Sequence, residues 1–108
     1  MEYKFIADLN TEAAIPDHRM ISRVLHKDES VNVTVFGFAA GEGLSPHAAP
    51  TPAILCFIDG EGTVQLGEDS VQVQPGSIVY LPPSLRHAVS ARSALRMLLV
   101  QIKCDAHR

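Results

Sequence analysis

From Met20 onward the chain is cut into short β-forming runs by Gly, Pro, Asp and Ser at close spacing, and this punctuation leaves no room for a helix of ordinary length. The runs are Met20 to Lys27, Val31 to Ala40, Ala53 to Ile58, Thr63 to Leu66, Ser70 to Gln74, Ser77 to Leu81 and Leu95 to Lys103. In the second, Val31, Val33 and Val35 alternate with Asn32 and Thr34, the period of a strand with two different faces. The breaks between runs carry turn chemistry. Asp28-Glu29-Ser30, Gly41-Glu42-Gly43, Asp59-Gly60-Glu61-Gly62 and Gly67-Glu68-Asp69 read as reversals, and Pro75-Gly76 has the residues of a type II turn. The expected fold class is all-β, a sandwich or barrel.

With 108 residues, the chain is shorter than the roughly 150 of a typical domain, so a single domain over residues 1–108 is expected. Its barrel core spans about 20–103. The N-terminal segment 1–19 contributes at most a short helical turn near Asn10-Thr11-Glu12, ended by Pro16. A hydrophobic content of 46% suffices for a core. Both parities of Ala53 to Ile58 and of Leu95 to Ile102 are apolar. A barrel interior covers one face only, so the other needs a second sheet or a second subunit, and a homodimer is expected.

Nine Lys and Arg stand against twelve Asp and Glu, for a net charge of −3, and no two basic residues are adjacent. Nucleic acid is therefore not an expected partner. No stretch approaches the ~18 apolar residues of a membrane span, and the N-terminus lacks the pattern of a signal peptide, so no membrane association is expected and the cytoplasm is the expected location. Cys56 and Cys104 form no CxxC and are expected as free thiols. GxSxG, P-loop and HExxH patterns are absent from the sequence, and neither cysteine adjoins a histidine.

Two histidines sit in ordered surroundings. His47 lies in Gly41-x5-His47-x-Ala49-x3-Ala53-x6-Gly60, and His87 in Gly76-x5-Pro82-x-Ser84-x2-His87. At these spacings the chain resembles the cupin superfamily, which implies a single-domain β-barrel of the jelly-roll type. In metal-binding members the first motif supplies His-x-His and a Glu, and the second motif a further His. The resemblance therefore implies ligand positions at 47, 49, 53 and 87. Here only His47 and His87 remain, because Ala49 and Ala53 occupy the other two, while Ser84 replaces a motif glycine and Ala91 a frequent asparagine. Alanine has no donor atom. Two imidazoles alone lack the charge compensation of a complete set, so no metal cofactor is expected beyond weak or partial occupancy by a divalent transition metal at His47 and His87.

The stretch His47-Ala48-Ala49-Pro50-Thr51-Pro52-Ala53 is small and apolar throughout its former ligand positions, and resembles small dimeric cupins with a His-x-Ala-Pro first motif. The expectation is a pocket formed by His47, Leu55, Phe57, His87, Val89 and Met97, taking a small apolar or acidic organic ligand, in a protein of sensor or accessory type. A metal-dependent cupin enzyme, a dioxygenase or isomerase using His47 and His87, is the alternative, and a structural or partner-binding module a further one. Counted from the ligand position that the resemblance puts at Ala53, Leu55 and Phe57 share the inward parity and Ile54, Cys56 and Ile58 the outward one, and Tyr80 reads as a core aromatic. His18, His26 and His107 read as solvated, and Arg86 and Arg92 as rim residues with a possible ligand contact.

Overall fold

A computed structural model describes residues 2–103. Nine strands follow a 3-10 turn at Leu9–Thr11: β1 Met20–Lys27, β2 Val31–Phe38, β3 Gly43–His47, β4 Ala53–Asp59, β5 Gly62–Leu66, β6 Asp69–Val73, β7 Ile78–Leu81, β8 His87–Ala91 and β9 Leu95–Ile102. They form two antiparallel sheets, one in the order β1-β2-β9-β4-β7 and the other β3-β8-β5-β6. Seven of the strands lie within a residue or two of the runs legible in the sequence. Two do not. β3 contains Gly43, Ser45 and Pro46 and slips register between Leu44 and His47, while β8 is built from His87-Ala88-Val89-Ser90-Ala91; both compositions are poor in β-branched and aromatic residues. The proposed turn at residues 41–43 is also cut short, because β3 begins at Gly43.

The inner faces follow the alternation of the strands. Phe36 and Phe38 of β2 pair with Met97 and Leu95 of β9, and Ala53, Leu55 and Phe57 of β4 pair with Gln101, Leu99 and Met97 of the same strand. Phe38, Leu55, Phe57, Leu95 and Met97 are buried to 2% exposure or less together with Val64 of the facing sheet. Each such side chain contributes about 1.5–3 kcal/mol of transfer free energy. Two glycines are required by close approach. A Cβ on Gly43 would lie 1.9 Å from the Val89 carbonyl oxygen, and Gly60 combines φ +84° with an Ala94 carbonyl 2.0 Å from any Cβ.

The outer face of the five-stranded sheet differs from the expectation. Part of it is covered by the chain's own N-terminal segment: Ala13 is buried with Leu25 and Val35, and Ile6, Leu9, Val33, Ile58 and Leu98 pack around them. Arg96 fastens this cover, donating from Nε to the Ala13 carbonyl (2.8 Å) and from Nη1 to Asp59 Oδ2 (2.7 Å). The apolar second faces of β4 and β9 are thus shared between an intrachain cover and an open remainder. The open part contains half-buried Ile54 and Cys56, and Ile78 and Tyr80, which are 67% and 60% exposed. Tyr80 is therefore not a core aromatic. It pairs with outward-facing Ile54, whereas its neighbour Leu81 pairs with inward-facing Ala53.

Candidate functional site

β3 and β8 are partners at the edge of the smaller sheet, and their register sets His47 directly opposite His87. The ring centroids are 4.3 Å apart and the planes are tilted by 59°. The loop before β8 is tied to the residues after β3, since Ser84 N–H donates to the Ala49 carbonyl at 2.7 Å. Ser84 adopts φ 70°, the left-handed conformation that explains a glycine at this motif position. His87 is buried at 8% exposure, and His47 is exposed at the rim.

Each imidazole is oriented by the carbonyl two residues before it. His47 Nδ1 lies 2.8 Å from the Ser45 carbonyl and His87 Nδ1 2.9 Å from the Leu85 carbonyl. A carbonyl oxygen only accepts, so both Nδ1 atoms carry the proton and both rings, when uncharged, keep a free lone pair on Nε2.

The two rings line a cavity of about 90 Å³. Leu55, Val89 and Met97 also line it. Phe57 does not: it lies opposite Met97, deeper in the core. The lining further includes Leu44, Thr51, Leu81, Leu99 and Gln101, none of which the motifs single out. The parity of β9 carries the missing signal, because Gln101 and Leu99 share the face of Met97 and pair with Ala53 and Leu55.

Other candidates fall elsewhere. Arg86 borders a second depression of about 130 Å³ with Pro46, Gln65 and His87, and Arg92 is engaged by Gln72 (2.9 Å) and Glu61 (3.4 Å), so neither lines the cavity. His18 is exposed in a turn with φ 59°, His26 binds Asp28 at 2.8 Å, and Cys56 is a free thiol on the outer face. His107 and Cys104 lie outside the described residues. A wider groove of about 530 Å³ under residues 2–9, lined by Tyr3, Ile6, Leu25 and Leu98 among others, exceeds the cavity in volume, but the imidazole pair is not part of it.

The donor chemistry also tests the metal that the motif positions imply. Ala49 and Ala53 line the cavity where two ligands would stand, and among the described residues no three His, Cys, Asp or Glu side chains converge. A four-ligand metal centre does not fit this set.

A small two-sheet barrel with a histidine pair at the mouth of its cavity defines the class of protein. A family model described as "Cupin domain" matches residues 34–101, and the chain belongs to this family. No curated protein matches the sequence. Among solved structures, a conserved protein of unknown function from Streptococcus pyogenes is 28% identical, with a TM-score of 0.87 over 98% of this chain and 93% of that one. A cupin 2 conserved barrel domain protein from Leptotrichia buccalis is 30% identical (TM-score 0.83), with 88% of this chain aligned to 46% of its own. An RmlC-like cupin from Desulfovibrio desulfuricans shares the fold at 24% identity, with a TM-score of 0.82 over 94% of this chain and 98% of that one.

Proposed function

We propose that this cupin binds a small organic molecule without a resident metal, as a homodimer of sensor or accessory type, with the ligand in the cavity between His47, His87 and the inner faces of β4 and β9. The observation that carries the reading is the paired imidazoles on an otherwise largely apolar cavity whose former ligand positions are alanine. Apolar walls with a few fixed polar groups are the general form of a small-molecule site. The dimer reading is supported by the exposed Ile78 and Tyr80 beside Ile54 and Cys56. Native mass spectrometry of gently purified protein tests the ligand reading. A retained small molecule that is lost from both His47→Ala and His87→Ala supports it, and retention by both variants opposes it.

One observation favours a second reading. Nδ1–H bonds to carbonyls are the usual way a metal-bound imidazole is held, so the two Nε2 lone pairs suit weak ligation of a divalent transition metal. Metal analysis of protein purified without a histidine tag separates the two readings.

A further inference from the structure

The polar groups of the cavity are unequal in sign, and this restricts the ligand. His47 and His87 each offer Nε2 as an acceptor when uncharged, because both Nδ1 protons are committed to the Ser45 and Leu85 carbonyls. The remaining polar side chains on the wall are Gln101 and Thr51. The side-chain hydrogen bonds of the described residues include neither of them, so an amide and a hydroxyl stand ready for a guest. Among the described residues, no Lys, Arg, Asp or Glu lines the cavity. A bound anion would find no fixed cation on this wall. A bound cation would find no carboxylate. A volume of about 90 Å³ leaves room for only several non-hydrogen atoms.

We infer that the ligand is a small uncharged molecule, or the uncharged end of a larger one, that presents two adjacent donor hydrogens to His47 and His87 and an acceptor to Gln101. A primary amide has this pattern: two N–H donors, one carbonyl acceptor and an apolar tail for Leu55, Val89 and Leu99. The inference rests on the small-molecule reading above and specifies its chemistry.

Propionamide and propionate are suitable probes, because they match in size and differ in charge and in donor hydrogens. Binding to the full-length protein is followed at about pH 8, where imidazole is ordinarily uncharged, through the Nε2 nitrogen resonances of the two histidines and the cavity methyl groups. Propionamide is expected to shift both Nε2 signals and to bind at least tenfold more tightly than propionate. Gln101→Leu should weaken propionamide several-fold. Xenon, an apolar probe of the same space, should enter wild type and variant alike. Propionate binding equally or more tightly overturns the inference, as does propionamide binding that ignores Gln101→Leu. If neither probe binds, the inference fails, and xenon then separates the cases: entry retains an accessible pocket, while exclusion removes the small-molecule reading with it.

Discussion

His47 and His87 face each other across the β3–β8 pair with rings 4.3 Å apart, and each is held by the carbonyl of the residue two positions earlier in the chain. The orientation of both rings is therefore set by backbone and does not depend on the side chains at positions 49 and 53. It gives the site a fixed pair of nitrogens and little else to hold a cation.

Metal content is the first consequence. Protein as isolated should hold clearly less than one transition metal ion per chain by elemental analysis. Ala49→His with Ala53→Glu restores a charged four-donor set and should raise metal affinity. Stoichiometric metal in the wild type, or no gain in the double variant, contradicts this account.

Assembly is the second. Analytical ultracentrifugation should report about twice the 11.7 kDa chain mass. Tyr80→Asp and Ile78→Asp change side chains that are 60% and 67% exposed in the single chain, so they should dissociate the dimer and leave the circular dichroism of the barrel intact. A wild-type monomer at micromolar concentration argues against the interface.

Backbone crowding gives the third. Gly43→Ala drives a Cβ to 1.9 Å from the Val89 carbonyl oxygen in the strand that carries His87. Relief requires β3 and β8 to separate, at a cost of about 1–3 kcal/mol or more. Denaturant titration should show the loss, and an unchanged midpoint would mean that the strand pair yields freely.

The β1–β2 turn gives the fourth. Asp28 is lowered from 3.8 to about 2, chiefly by the hydrogen bond from His26 and then by those from the Ser30 and Val31 amides. A depressed carboxyl stabilises the folded state above its unfolded value and loses that contribution as pH falls. The stability difference between wild type and Asp28→Asn should thus be fully present above about 3.8 and vanish as pH falls through about 2. Urea midpoints measured across this range are the test, and a difference independent of pH counts against the carboxylate's role.

Much of the fold was legible because alternation and turn residues are local signals. The runs from Val31, Ala53, Thr63 and Leu95 announce their strands, and the parity of Leu55 against Cys56 is the parity seen. β3 and β8 were hidden because their composition is set by the site and by close approach at Gly43 rather than by strand preference. Phe57 was assigned to the cavity because parity gives a side but not a depth. Gln101 escaped because its position opposite Ala53 depends on a long-range register that no motif spells out. The N-terminal cover was illegible for the same reason: Ala13 gains its meaning from Arg96, 83 residues away.

The order β1-β2-β9-β4-β7 places the last strand in the middle of its sheet. β2 and β4 share no edge with each other and meet only through β9, and the cover at Ala13 is fastened by a side chain of that same strand. On the ribosome, synthesis therefore delivers this keystone after the other eight described strands. Everything up to Ala94 emerges without the partner that joins the two halves of the larger sheet, so β2 and β4 can be joined only once β9 is free of the exit tunnel. The cover at Ala13, made long before Arg96, waits for that strand to be fastened.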